Sequence, residues 1–212
     1  MSRTSCGDLT YWHARNTQDK RGRGLFCALI HKRFEDVTDG SSNTFLASES
    51  VIFGGDLYAR RGGIALNRNI QTGTPAACWA ALDPTNRQRI QAPVYNVGNR
   101  NFCGVRWPDG LPMSTGFYAI LPPNAPTCFD NSDLNGYNVG ISRSASSWHN
   151  GGVNCALVDG TVKFVSETVD CGVMSDPLSY VDHTNWEPNG QPSPFGIWGA
   201  YGTIDRGESK SL

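Results

Sequence analysis

Serine, histidine and acidic residues could support hydrolysis, but they are spread along this chain without a recognised catalytic pattern. Ser147 and His149 could in principle serve as nucleophile and base, yet the G-x-S-x-G turn that exposes a nucleophilic serine is absent. Glycoside hydrolysis needs two carboxylates across a cleft. The acidic candidates are Glu35, Glu49, Asp56, Asp109 and Glu167. Solvated charge or capping is the more ordinary role of such residues, so the chain is predicted not to be an enzyme.

Metal and nucleotide sites have little support in the sequence. The four histidines show no metal-ligand spacing, and the chain lacks CxxC, HExxH and a glycine-rich phosphate loop. Asp130, Asp133 and Asn135 precede Gly136 in a pattern that resembles half of a calcium loop, but the closing glutamate is missing. We expect an ordinary Asx-turn loop there and no cofactor, with calcium as the minority alternative.

Composition excludes several classes of protein. The chain has 212 residues, 17% of them charged, and a net charge of -1. These values exclude a basic nucleic-acid-binding protein and a chain disordered by its charge. No apolar run approaches the roughly 20 residues that span a bilayer, so neither a nucleic-acid partner nor a membrane span is expected.

Seven cysteines are many for a reduced cytosolic protein of this size, and they predict an oxidising compartment. Because seven is an odd number, at least one thiol stays unpaired. We expect Cys155 to be free and the other six to form bridges, with Cys6–Cys27 as one candidate pair. The three connectivities of the remaining four stay open; these are Cys78, Cys103, Cys128 and Cys171.

Short apolar runs separated by clusters of Gly, Pro, Asn, Asp and Ser predict an α+β, mainly β fold. We expect an antiparallel sheet with long loops. The predicted strands cover residues 44–53, 94–97, 116–121, 153–158, 161–166 and 196–201.

Asp159-Gly160 predicts a β-hairpin with a two-residue type I′ turn. That turn pairs Leu157 with Val162 and Cys155 with Phe164. These four side chains and Val153 are then expected on one buried face. On this assignment, replacing Phe164 with Ala costs about 3 to 5 kcal/mol.

The six tryptophans lie beside turn residues more often than within strands. An exposed indole can stack on a sugar ring, whereas its more ordinary role is to fill the core under a long loop. We favour the core role and keep Trp107 and Trp148 as candidates for carbohydrate binding.

Two groups of motifs resemble those of a bacterial family. His149 is separated by nine residues from Asp159-Gly160, and the context on both sides is similar to the closing hairpin of that family. Upstream, residues 37–49, which include Asp39, Gly40 and Asn43, resemble its "DGTSNT…E" segment. The chain thus resembles the DUF1559 family, pilin-like (type II secretion pseudopilin G-like) proteins with a C-terminal prepilin-type processing-associated H-x9-DG domain.

The resemblance implies a prepilin leader, a long apolar N-terminal helix and a β-rich head. Residues 1–23 are polar here, so we expect the pilin helix to be absent from this chain. The expected organisation is a polar N-terminal segment over 1–36 and a pilin-like head over 37–212, which includes the hairpin 149–167. The motif residues are interpreted as structural: Asp39-Gly40 and Asp159-Gly160 form turns, Asn43 binds backbone, and His149 holds a loop against the hairpin.

The expected function is that of a non-enzymatic structural subunit of pilin or pseudopilin type, extracellular or at the surface of a bacterial cell. Its expected partners are copies of itself or other pilin-like subunits, bound through strand edges and the charge-poor loops 96–102 and 188–195. A carbohydrate-binding surface module that binds polysaccharide through loop tryptophans is the alternative. A secreted hydrolase is the third possibility.

Overall fold

The centre of the structure, a computed structural model, is a five-stranded sheet in the order β4-β1-β2-β6-β7. Its strands are β1 (Ser2–Thr4), β2 (Phe45–Ser48), β4 (Gly116–Phe117), β6 (Gly152–Leu157) and β7 (Val162–Ser166), and a smaller sheet pairs β3 (Ile64–Ala65) with β5 (Thr127–Cys128). The residues that the structure describes are 2–4, 23–26, 31–66, 68, 74–91, 104–106, 112–129, 142–175, 192–208 and 210–212.

The larger sheet is antiparallel apart from one pair of strands. The pairs β1–β2, β2–β6 and β6–β7 are antiparallel, whereas β1–β4 is parallel. The pair β3–β5 of the smaller sheet is also parallel. The α+β, mainly β class is therefore confirmed, and the larger sheet is antiparallel as expected except for the pair β1–β4. The boundary at residue 36 stays a prediction, although β1 lies within the sheet.

Among the described residues, three short α-helices accompany the sheets: α1 (Pro75–Trp79), α2 (Pro112–Thr115) and α3 (Gly196–Gly202). The strand predicted over 196–201 is wrong, because these residues form α3. Six of the seven residues of α3 are buried, and a short helix buried on all sides has the same continuous apolar sequence as a buried strand. The predicted strand at 94–97 lies outside the described residues, and those at 44–53 and 116–121 are shorter than expected.

Two clusters of buried side chains fill the interior. One lies between the larger sheet and α3, where Phe45 packs against Trp198 and Tyr201 with ring centroids 4.8 and 5.2 Å apart. The other surrounds the smaller sheet and α1 and contains Ile64, Cys78 and Cys128. The larger sheet thus has one face on α3, and the hairpin β6–β7 forms its far edge.

The hairpin exists as predicted, but its turn and its register differ from the prediction. Gly160 N donates to Leu157 O (3.0 Å) and Leu157 N donates to Thr161 O (2.8 Å). Only Gly160 of this turn has a positive φ, 86°. This is a three-residue loop in which a type I turn is followed by a left-handed glycine. The carboxylate of Asp159 stabilises it by accepting from Thr161 N (2.9 Å) and Thr161 Oγ1 (2.7 Å).

Because the loop is longer by one residue, each residue of β7 pairs with a residue of β6 one position away from the predicted partner. The side chains predicted to be buried in β7 therefore lie on the exposed face, and the reverse. Asn154 lies opposite Phe164, and Val153 lies opposite Val165. Val165 is therefore buried at 2% exposure, while Val162 and Phe164 are 63% and 53% exposed. The prediction that Val162 and Phe164 share the buried face is wrong, because a slip of one residue sends every side chain of a strand to the other face.

Candidate functional site

Asp39 links the motif over residues 37–49 to the C-terminal part of the chain through hydrogen bonds. Its buried carboxylate accepts hydrogen bonds from Arg206 N (3.0 Å) and Gly207 N (2.6 Å). Its main-chain oxygen accepts from Asn43 Nδ2 (3.2 Å). Gly40, with φ 100°, continues the chain through a conformation that side chains disfavour. Asp39, Gly40 and Asn43 therefore form a turn that fixes residues 203–208 beside β2.

Glu208 is a second buried carboxylate, and it lies on the other side of Thr203 from Asp39. Its role was not predicted from the sequence. It accepts hydrogen bonds from Ser193 N (2.9 Å) and Thr203 Oγ1 (2.9 Å). Thr203 Oγ1 also lies 3.3 Å from Asp39 Oδ2. The two acids are thus used to bind main chain and one hydroxyl. Gly207-Glu208 fits the order of motifs in the family that the chain resembles, but the pair indicates no partner for the carboxylate.

The histidine of the H-x9-DG motif is bound to a distant glutamate. His149 Nδ1 donates to Glu49 Oε2 (3.0 Å), across 100 residues of sequence. The same carboxylate accepts from Asn154 N (2.8 Å) and Asn154 Nδ2 (3.1 Å) in β6. Partial burial raises the pKa of Glu49, but the hydrogen bonds from Asn154 and His149 outweigh it and hold the pKa below its ordinary value.

Ser147 fixes the loop before the hairpin through three hydrogen bonds. Ser147 Oγ donates to Gly152 O (2.7 Å) and accepts from His149 N (3.0 Å). Ser147 N donates to Asn124 Oδ1 (3.0 Å). In this structure the Ser147 hydroxyl thus binds main chain on both sides and holds residues 147–152 together.

The described acidic candidates each contact a different partner. Glu35 pairs with Arg33, Asp56 with Arg61, and Glu167 accepts from Asn124. In the described part of the chain, no group of three or more His, Cys, Asp or Glu side chains could hold a metal ion. Outside the described residues lie Asp109 and the calcium candidates Asp130, Asp133 and Asn135.

One disulfide joins Cys78 to Cys128, and the thiols of Cys155 and Cys171 are free and buried. The prediction for Cys155 is confirmed, and the prediction of six bridged cysteines is wrong, because Cys171 lies in the core as a small apolar residue. Burial raises the pKa of both thiols to about 12. Cys6, Cys27 and Cys103 lie outside the described residues.

The described tryptophans occupy three different environments. Trp198 is fully buried between Phe45 and Phe117, and Trp79 is partly buried against the smaller sheet. Trp148, by contrast, is 66% exposed beside His149. Trp12, Trp107 and Trp186 lie outside the described residues. The core role predicted for tryptophan therefore applies to Trp198, whereas Trp148 has a different surrounding.

Alternate residues of β7 direct their main-chain N–H and C=O groups away from the sheet. At one end of the hairpin Leu157 N donates to Thr161 O, and at the other Glu167 N donates to Gly151 O (2.8 Å each). Because hydrogen-bonded pairs alternate along an antiparallel ladder, the odd-numbered residues of β7 bond to β6. The main-chain N–H and C=O groups of the even-numbered residues point outward and form what we name the open edge: Val162, Phe164 and Ser166, of which the Ser166 carbonyl also accepts from Val169 N (3.1 Å). Among the described strands, none pairs with this side of β7.

None of the helices described is both long and apolar enough to cross a membrane.

A family model matches most of the chain. No curated protein and no solved structure matches the chain significantly. Residues 3–172 match the family model SBP_bac_10, described as "Protein of unknown function (DUF1559)". The chain therefore belongs to the DUF1559 family.

Proposed function

We propose that this chain is the β-rich head of a non-enzymatic structural subunit of pilin type, which assembles with copies of itself outside a bacterial cell. The observation that carries the proposal is the open edge of β7. A strand edge with unpaired N–H and C=O groups is a template for another strand, and proteins that remain monomeric usually cover or blunt such edges. Here the edge carries two exposed apolar side chains, Val162 and Phe164.

The charged residue within β7 does not guard the open edge. Lysine is a common guard against edge-to-edge pairing. Lys163, however, points to the opposite face, where its Nζ lies 5.5 Å from the ring centroid of Tyr201. A second strand can therefore approach the open edge without burying this ammonium group.

The sequence of β7 and its next residue suits antiparallel pairing with itself. One register places Phe164 opposite Ser166 of a second copy. The same register sets Lys163 opposite Glu167 of that copy, so two-fold pairing places no like charges opposite each other. A two-fold interface of this kind uses the same patch on both subunits.

Further support comes from how the motif residues are used. Asp39 accepts hydrogen bonds from the main chain of residues 206 and 207, and Glu49 accepts from His149 and from Asn154 N, as a structural role requires. The disulfide Cys78–Cys128 suits an oxidising location outside the cytoplasm. Family membership agrees with the resemblance from which the pilin-like role was expected.

Light scattering across a wide range of protein concentration tests this proposal. We expect the mass of the wild-type particle to rise with concentration and Phe164→Lys to remain monomeric, because a charge then lies on the open edge. Phe34→Lys is the matched control, since Phe34 is also exposed but lies in a 3-10 helix away from the sheet. Val162→Pro removes one outward N–H donor and should weaken assembly too.

Two results would contradict the proposal. The first is a wild-type protein that is monomeric at every concentration, with calcium present or chelated. The second is a Phe164→Lys variant that associates as strongly as the wild type, which would place the contact elsewhere.

A further inference from the structure

We propose that the indole of Trp148 is the stacking platform of a saccharide-binding site, formed with Arg61 of the 3-10 helix Ala59–Arg61 and with Tyr58, which precedes that helix. This proposal is independent of assembly through β7, because it rests on different residues. We name Tyr58, Arg61 and Trp148 the Trp148 platform.

Trp148 is exposed although the chain on both sides of it is firmly held. Ser147 makes hydrogen bonds through its N–H, its hydroxyl and its carbonyl, the last accepting from Arg60 Nε (3.2 Å). The main-chain N–H and the imidazole of His149 are also bound, to Ser147 and Glu49. A ligand would therefore meet an indole whose position is already fixed, which lowers the entropic cost of binding.

The guanidinium of Arg61 lies between two aromatic rings. Its Cζ is 5.4 Å from the centroid of the Trp148 ring and 5.1 Å from that of Tyr58. Its Nη1 donates to Asp56 Oδ2 (2.9 Å), which fixes the guanidinium in turn. Cation–π contacts of this kind contribute about 0.5 to 1 kcal/mol at exposed sites. Arg61 thus orients the indole, while two thirds of the Trp148 residue stays open to solvent.

The residues around the indole favour a sugar over a protein side chain. An apolar anchor at a protein interface is usually surrounded by further apolar and aromatic residues. Here one aromatic residue, Tyr58, is accompanied by polar ones: Arg60, Arg61, Ser147 and His149, whose side chain is 55% exposed. A pyranose ring presents a face of C–H groups, which suits the indole, and a rim of hydroxyls, which suits guanidinium and imidazole groups. Aromatic surface with a few placed polar groups is the usual composition of a small-ligand site.

The test is fluorine NMR on the full chain labelled with 5-fluorotryptophan. The resonance of Trp148 is assigned as the one that disappears in Trp148→Phe. Oligosaccharides of neutral hexose, of N-acetylhexosamine and of uronic acid are then titrated separately, so that the panel distinguishes neutral from acidic sugars. We expect at least one of them to shift the Trp148 resonance in a saturable way.

Variants measured by calorimetry with the same oligosaccharide complete the test. Trp148→Ala should weaken binding by about tenfold or more, which corresponds to about 1.4 kcal/mol. Arg61→Ala should weaken it by about two- to fivefold, because the indole would no longer be held in position before the ligand binds. Phe34→Ala removes an exposed aromatic side chain elsewhere and should change nothing.

Three results would overturn the proposal. One is the absence of any shift at Trp148 across the whole panel. Another is binding that perturbs a different tryptophan and survives Trp148→Ala. The third is a Trp148 resonance that responds to protein concentration alone, since the indole would then be part of a contact between copies of the chain.

Discussion

Two neighbouring residues of β7 should differ sharply in their contribution to stability. Val165 lies in the core between the larger sheet and α3, whereas the ring of Phe164 covers Gly152 on the exposed face. Phe164 is the larger side chain, so size alone predicts a greater loss of stability for Phe164→Ala. The structure predicts the greater loss for Val165→Ala. Val165→Ala and Phe164→Ala therefore test the register of the hairpin.

The expected magnitudes follow from what each substitution removes. Val165→Ala deletes the equivalent of two buried methyl groups, each worth about 0.8 kcal/mol of transfer free energy. The cavity left behind adds to this loss, so we expect about 2 kcal/mol in total. Phe164→Ala removes a half-exposed ring and its contact across the strand pair, for which about 0.5 to 1 kcal/mol is expected.

Urea denaturation followed by far-ultraviolet circular dichroism measures both free energies of unfolding. The protein concentration should be low enough to keep the chain monomeric, because self-association would stabilise the folded state. A larger loss for Phe164→Ala than for Val165→Ala would refute the register and restore the two-residue turn.

Three further predictions concern buried or bound polar groups. Asp39→Asn should cost about 2 kcal/mol in urea denaturation, because hydrogen bonds to a buried charge are among the stronger ones. The folded-state pKa of Glu49 lies below its ordinary value of 4.5, so its contribution is present above that pH and is lost as the pH falls through the folded value. Stability should thus decline below pH 4.5, and Glu49→Gln should make this decline smaller. With their pKa raised to about 12, Cys155 and Cys171 should resist thiol reagents in the folded protein and react once it is unfolded without reductant.

The hairpin shows where the sequence was sufficient and where it was not. Asp159-Gly160 between two β-rich runs located the turn, because few other sequences reverse a strand so tightly. The type of this turn depended on whether Asp159 adopts a positive φ. The side chain of Asp159 binds Thr161 instead and stabilises a longer loop. A difference of one residue in the loop, which local patterns do not resolve, then decided which face of β7 is buried.

The candidate site could not be predicted in full from the sequence, because its contacts join residues that are far apart in the chain. His149 was identified through its motif, but its partner Glu49 is 100 residues away, and spacing gives no signal over that distance. The same holds for Asp39, whose carboxylate binds the main chain of residues 206 and 207. The exposure of Trp148 and the burial of Trp198 follow from tertiary packing, since both indoles lie in similar sequence surroundings beside turns and small residues.

Hydrogen exchange of the individual β7 amides, followed by NMR at rising protein concentration, tests the central claim of assembly through the open edge most directly. In the monomer, the N–H groups of Lys163 and Val165 bond to β6 and should exchange slowly, whereas those of the open edge should exchange fast. We predict that the amides of Val162, Phe164 and Ser166 slow down as the concentration rises, and that Phe164→Lys abolishes the effect. Fast exchange of these three amides at every concentration would contradict assembly through β7.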